Sequence, residues 1–186
     1  GAAERAEKML YVCYDNVGYM NTGYQRSSTT TEGSRTSTTP LGSAISGKQQ
    51  AQKYVPLILA MHGVEYCATA TPWNMRDMVE KIEKGLAASK RGFAYLHVFT
   101  PCPTGWSFPP DQTIEVSKLA VKSNMFPLWE CSGGKYTLNY KNPEPMPVSE
   151  FVKGIGKFKK LSAEQLASVQ HAADERYAVV SALAAI

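Results

Sequence analysis

An apolar run rich in β-formers, Met9–Tyr14, passes without a spacer into a turn containing Asp15, Asn16, Gly18, Asn21 and Gly23. A strand that ends in amides, a carboxylate and glycines belongs at the carboxyl edge of a sheet, where open α/β folds leave a crevice for ligands. Oxygen donors and bare backbone there suit a phosphate-bearing cofactor and its metal ion. The rest of the chain follows the same plan. Strand-like runs at Val64–Thr69 and Phe93–Thr100 alternate with two helical patterns. One covers Gln49–His62, with Pro56 as a kink or early break; the other has Asn74 as N-cap and Asp77 in its first turn, and runs to about Ser89. Such alternation implies an α/β fold, with a mainly parallel sheet flanked by helices on both faces.

A chain of 186 residues can bury one good core, and 44% hydrophobic with 19% charged residues is ordinary for a globular protein. Lys and Arg are scattered among Asp and Glu, and the net charge is only +4. The cluster Lys153, Lys157, Lys159, Lys160 reads as a solvated segment, so no nucleic-acid partner is expected. No apolar run is long enough to span a bilayer, and no secretory pattern opens the chain, so no membrane partner is expected either. Cys13, Cys67, Cys102 and Cys131 are spread without a C-x-x-C pair, which points to a reducing cytoplasm rather than a disulfide scaffold. Residues 2–8 read as the tail of a helix already under way, as if the chain began inside a larger fold.

Between the first turn and about Lys48 lies a segment dense in Ser, Thr and Gly. Composition alone makes Ser27–Ser46 a flexible linker, but its position directly after the Asn/Gly turn favours an active-site loop. After Phe93–Thr100 comes a second special loop, Pro101–Pro110, and Asp111 is placed to cap a helix over Gln112–Ser123. Phe126–Glu130 and Lys135–Tyr140 read as a hairpin around Ser132-Gly-Gly134. A Pro-rich connector, Asn142–Pro147, precedes a short helix. Ser162-Ala-Glu-Gln165 is a capping box for a terminal helix with Leu166, Val169, Ala173, Tyr177 and Val180 near one face. The organisation expected is an α/β domain over 1–141 with a helical extension, 142–186, packed on it.

Two places carry chemistry. In the first turn Asn16 offers a side-chain carbonyl, Gly18 lets its own carbonyl approach closely, and Asn21 can bond a cofactor or substrate oxygen. The same pieces occur in ordinary βα turns, where Asn and Gly only supply left-handed conformations. In the second loop Cys102 sits between Pro101 and Pro103, which stiffen the backbone around a thiol that must point one way. A single Cys cannot hold an iron–sulfur cluster, which takes four thiolates, so on sequence alone it reads as a free thiol. Cys13 and Cys67 read as small core residues, and Cys131 as structural. His62, His97 and His171 show no zinc spacing, although His97 is near enough in sequence to buttress the Cys102 loop.

Tyr14-Asp-Asn-Val-Gly-Tyr-Met-Asn-Thr-Gly-Tyr-Gln-Arg-Ser-Ser28 closely resembles the thiamine-diphosphate loop of the β subunit of 2-oxoacid:ferredoxin oxidoreductases, the pyruvate synthase type nearest. His97-Val-Phe-Thr-Pro-Cys-Pro-Thr-Gly-Trp106 resembles a second motif of that subunit. Glu115–Pro127 and Leu138-Asn-Tyr-Lys141 follow in the family's order. The resemblance covers the whole chain but only the carboxyl-terminal part of such a subunit, hence a partial thiamine-diphosphate-binding fold. It implies that Asp15, Asn16, Gly18, Tyr19, Met20, Asn21 and Thr22 bind the cofactor. Asn16 (side chain) and Gly18 (backbone carbonyl) would ligate Mg²⁺, and Asn21 would be the catalytic residue beside the thiazolium. Cys102 would be the fourth thiolate of a [4Fe–4S] cluster.

The activity implied is oxidative decarboxylation of a 2-oxoacid, pyruvate first, with CoA taking the acyl group and electrons leaving through clusters to ferredoxin. Other oxidoreductase subunits would be partners. The family's Gly-Asp-Gly motif and amino-terminal cysteines do not occur in this sequence, Thr31 stands where Pro is frequent, and Arg35 where an aromatic is frequent. Two other readings share these residues: a non-catalytic assembly module, and an iron-free thiamine-dependent decarboxylase or synthase.

Overall fold

The computed structural model describes residues 1–42 and 46–186. Among them, the strands are β1 (Met9–Asp15), β2 (Tyr66–Ala70), β3 (Phe93–Phe99), β4 (Trp129–Ser132) and β5 (Lys135–Leu138). The helices are α1 (Val55–Met61), α2 (Met75–Ala88), α3 (Pro103–Trp106), α4 (Thr113–Lys122), α5 (Val148–Val152) and α6 (Ala163–Leu183). The strands form one sheet in the order β1-β3-β2-β4-β5. β1, β3 and β2 run parallel, while β4 and β5 add an antiparallel hairpin, which fits the expected α/β fold.

Strand parity sorts the core. On β2 and β3, Tyr66, Ala68, Ala70, Ala94, Leu96 and Val98 face α2, with Leu10 of β1 beside them. The alternate residues Cys67, Phe93 and Tyr95 face the opposite way, toward Ala60 of α1 and Val180 of α6. Both faces of β2 and β3 are therefore covered, and these strands are buried along their whole length and largely apolar, with Thr69 and His97 the polar exceptions. β1 differs. It lies at the sheet edge with Tyr11 50% and Tyr14 74% exposed.

A third cluster lies beyond the sheet's second face, where Phe99, Trp106, Val116, Phe151, Phe158 and Val169 pack together. The rings of Phe99 and Phe108 meet the Trp106 ring edge-on at 5.6 and 6.3 Å. Residues on both sides of position 141 thus share one apolar cluster.

Several element boundaries differ from expectation. Residues 2–6 form turns, not a helix, and Ala6 adopts a left-handed conformation before β1. α1 starts at Val55, so Pro56 sits in its first turn, where no amide is needed, and does not kink it. Asp111 lies inside a single 3₁₀ turn, and α4 begins two residues later without a side-chain cap. The Asn74 cap on α2 and the Ser162–Gln165 capping box on α6 form as read, the latter through bonds of 3.1 Å in each direction. Gly133 and Gly134 both have positive φ, the requirement of a two-residue hairpin turn.

The polar segment is not a loose tether. Lys48 is 1% exposed, and its ammonium donates to the carbonyls of Thr30 at 2.5 Å, Ala51 at 3.0 Å and Ser28 at 3.4 Å. Burial and the neighbouring Arg26 bring its pKa down to about 8. Gln165 and Ser168 of α6 hold the segment from outside by bonds to Ser46 and Glu32. Residues 43–45 of the expected loop lie outside the described residues.

Candidate active site

β1 and β3 pair in parallel register, Asp15 opposite Phe99, and the Thr100 amide extends the ladder to the Asp15 carbonyl at 3.0 Å. The Asn/Gly turn and the Cys102 loop therefore leave the same edge of the sheet side by side. That edge is where parallel sheets open a ligand crevice.

One bond joins the two loops. The indole N–H of Trp106, a residue 1% exposed, donates to the backbone carbonyl of Asn16 at 2.9 Å. With that carbonyl engaged, the Asn16 side-chain amide and the Gly18 carbonyl accept no hydrogen bond among the described residues. Between them Val17 is buried with φ of 61°, a left-handed conformation that a β-branched residue adopts only under constraint. The constraint is visible: the Val17 amide donates to Asp15 Oδ1 at 2.8 Å and its carbonyl accepts from Thr30 Oγ1 at 2.9 Å. A Cβ on Gly18 would come within 2.9 Å of Met20 Cε, the mobile end of that side chain, which would have to shift.

Both oxygens of the Asp15 carboxylate have partners inside the protein: Oδ1 also accepts from Thr29 at 3.0 Å, and Oδ2 pairs with His97 Nε2 at 3.0 Å. This corrects the place of His97, which buttresses Asp15 rather than the Cys102 loop. His97 bonds the Tyr95 hydroxyl through Nδ1 at 2.7 Å and stacks on Phe126 at 5.9 Å. Burial opposes charge on His97, but Asp15 and the Cys13 side chain outweigh it and raise its pKa to about 9. Burial likewise opposes charge on Asp15, and His97 overcomes it to hold the carboxyl below its ordinary range. Cys13 thus has a part beyond filling the core. Burial raises its thiol pKa, but the larger effect of bonding to His97 leaves it lowered.

Residues 19–25 close into a small lobe, with Tyr19 and Gln25 exchanging backbone bonds of 2.9 and 3.1 Å. Asn21 and Thr22 stand exposed at its tip, and Tyr19 is 61% exposed. The Thr22 hydroxyl bonds Gln25 at 2.5 Å. Met20 turns inward against Gly105, where a Cβ would lie 2.3 Å from the Met20 sulfur. Cys102 caps the one-turn helix α3, its Sγ accepting from the Gly105 amide at 3.4 Å. Met20, Asn21 and Cys102 line one cavity of ≈ 680 Å³, whereas Asn16 and Gly18 do not border it. Among the described residues no three His, Cys, Asp or Glu side chains converge on a metal site. The polar groups the two loops offer are amide and carbonyl oxygens and one thiol.

Sequence reasoning missed Trp106, Tyr24 and Lys157. Lys157, expected in a solvated segment, is 3% exposed and lines the cavity. Tyr24, with φ of 63°, lines it too, and its hydroxyl is buried without a partner among the described residues. The only sequence signal for Trp106 was its place closing the Cys102 motif.

Three comparisons bear on this geometry. The family described as thiamine pyrophosphate enzyme, C-terminal TPP binding domain, matches residues 1–98. The chain is 47% identical over 176 residues to the NADH-dependent phenylglyoxylate dehydrogenase subunit beta of Aromatoleum evansii, covering 91% of this chain and 38% of that one. It is 41% identical to pyruvate synthase subunit PorB of Methanothermobacter marburgensis, covering 94% and 60%. It is 42% identical to ketoisovalerate oxidoreductase subunit VorB of Pyrococcus abyssi, covering 91% and 55%. The chain therefore spans about half the length of these relatives. A solved 2-oxoglutarate:ferredoxin oxidoreductase from Magnetococcus marinus, with 2-oxoglutarate, coenzyme A and succinyl-CoA bound, has a like fold, with a TM-score of 0.50 and 24% identity over 96% of this chain and 56% of that one.

Proposed function

The chain belongs to the family of thiamine pyrophosphate enzymes, as their C-terminal TPP-binding domain, and from that premise we propose that it forms part of an enzyme that oxidatively decarboxylates a 2-oxoacid, pyruvate first, with CoA as acyl acceptor. The Trp106–Asn16 bond carries this reading, because it fixes an oxygen-bearing turn and a thiol-bearing loop to each other at the open edge of the sheet.

Thiamine diphosphate with Mg²⁺ supplies a carbon nucleophile for the 2-oxo carbon, and a [4Fe–4S] cluster accepts the electrons singly on the way to ferredoxin. The donor set fits both groups. Asn16 through its side chain and Gly18 through its carbonyl would hold Mg²⁺, a hard cation that takes oxygen ligands. Asn21, exposed at the tip of the lobe, would offer its amide to the substrate. Tyr19, Met20 and Thr22 shape the cofactor's surroundings. Asp15 and His97 act as positioning residues, holding the turn from behind. Cys102 would supply one thiolate to the iron–sulfur cluster, with the Gly105 amide already directed at that sulfur.

The remaining ligands come from outside this chain, in other segments or other oxidoreductase subunits. The exposed edge strand β1, with Tyr11 and Tyr14 uncovered, supports such an assembly. Residues 1–141 form the thiamine-binding part, with 142–186 packed on it. Among the described residues no helix is long and apolar enough to cross a membrane. Four free cysteines support a cytoplasmic setting.

The assembled enzyme should reduce viologen when supplied with 2-oxoacid and CoA. Asn21→Ala should lower that rate, and Cys102→Ser should remove the iron–sulfur absorbance. If both variants leave rate and absorbance unchanged, the assignment is wrong. The phenylglyoxylate dehydrogenase relative favours a second reading of the substrate as an aryl 2-oxoacid. A higher kcat/KM for phenylglyoxylate than for pyruvate would establish it.

A further inference from the structure

Lys157 is held in place with unusual firmness for a lysine. Its carbonyl accepts from the Arg35 amide at 3.0 Å, and the preceding Gly156 amide donates to Ser107 at 3.1 Å. A Cβ on Gly156 would come within 2.6 Å of Ser107 Cβ, so this segment lies directly against the loop that carries Cys102. The Lys157 ammonium lies 3.0 Å from the centre of the Trp106 ring and 4.7 Å from that of Phe158. It has no hydrogen-bond acceptor among the described residues. Burial drives its pKa well down, and the charges of Asp15 and Cys102 oppose that effect. A buried amine with no acceptor is costly unless an anion is brought to it. The cavity it lines is also lined by Cys102, Arg35 and Tyr24, whose hydroxyl is itself buried without a partner among the described residues.

We propose that Lys157, with Arg35 in the same cavity wall, is the counter-cation of the iron–sulfur group bound by Cys102 and makes that group easier to reduce. The inference rests on the reading of Cys102 given above. An iron–sulfur cluster held by four thiolates is an anion, and each electron it accepts adds one negative charge. A cation fixed nearby in an apolar wall stabilises the reduced form more than the oxidised one. Burial alone disfavours the charged amine, so the anionic cluster beside it is what would keep Lys157 protonated, with the aromatic faces of Trp106 and Phe158 holding the ammonium in place.

The test is a redox titration of the cluster in the assembled enzyme, with dithionite as electron donor and its electron paramagnetic resonance signal as readout. Lys157→Met should move the reduction equilibrium about tenfold toward the oxidised form, about 59 mV lower for one electron. Lys157→Arg should stay near the native midpoint. Should Lys157→Met fail to assemble, Arg35→Gln, at an exposed position, should shift the midpoint the same way by a smaller amount. An unchanged midpoint at full iron content overturns the inference. So does a raised KM for the 2-oxoacid with no midpoint shift, which would give Lys157 to the substrate carboxylate. Cys102→Ser separates the two levels. Retained iron and signal in that variant reject the cluster reading and this inference with it. Lost signal together with an unshifted Lys157→Met rejects the counter-cation alone.

Discussion

Replacing Asp15 with Asn tests the joint behind the turn at the end of β1. The carboxylate accepts bonds from Val17 and Thr29 and pairs with a His97 that is 3% exposed. His97 rises from 6.5 to about 9 because Asp15 and Cys13 overcome the opposing effect of burial. The folded value lies above the unfolded one, so this stabilisation is whole below about pH 6.5 and is lost as pH rises through about 9. Linkage between those two values gives about 2.5 kcal/mol at pH 7 and about 0.2 kcal/mol near pH 9.5. On the acid side Asp15 is depressed below 3.8, so its contribution is present above that value and fades as pH falls through the folded pKa. Denaturant unfolding of the native chain and Asp15→Asn, followed by tryptophan fluorescence, should show a stability gap that narrows by about 2 kcal/mol between pH 7 and about pH 9.5. What remains at high pH is the altered bonding to Val17 and Thr29. His97→Gln should by itself abolish the pH-dependent part. A gap of equal size at both pH values would refute the reasoning.

Trp106→Phe keeps an aromatic ring in the core but removes the donor to Asn16, which should cost about 1–2 kcal/mol and weaken Mg²⁺–thiamine diphosphate binding by the assembled enzyme by about tenfold, read by calorimetry. Unchanged affinity would mean that the Asn16 turn holds its shape without the indole. Gly105→Ala would put a methyl 2.3 Å from the Met20 sulfur, so Met20 must move. Overpacking of this kind should cost about 1–3 kcal/mol of stability and lower iron occupancy at Cys102, measured by metal analysis.

The plan of the fold was legible because its signals are local. Asn74 caps α2, Ser162 and Gln165 box the start of α6, and Gly133–Gly134 turn the hairpin, each through contacts within three residues. Where a second physical effect competed, the local reading failed. Pro56 was read as a kink or early break in a longer helix, but a proline fits more cheaply in a first turn, and the helix starts there. Composition alone made the Ser/Thr-rich segment a tether, and only its position argued for an ordered loop; what orders it is Lys48, whose buried ammonium gathers three carbonyls from residues 28–51.

The sequence by itself determined which groups stand at the ends of β1 and β3, since residue type and strand periodicity are properties of neighbours along the chain. Asn16, Gly18 and Asn21 could be picked out as candidates on that basis, whereas a role for Cys102 came only from the resemblance to a known family. Only the tertiary structure decided what surrounds them. Asp15 turns inward to His97, 82 residues away, and Trp106 reaches Asn16 across 90 residues. Lys157, one of four lysines alike in sequence, is buried against Trp106 while Lys153 is 77% exposed. Burial depends on which distant segments arrive at the same place, and it alone separates a solvated cation from one whose charge acts on the site.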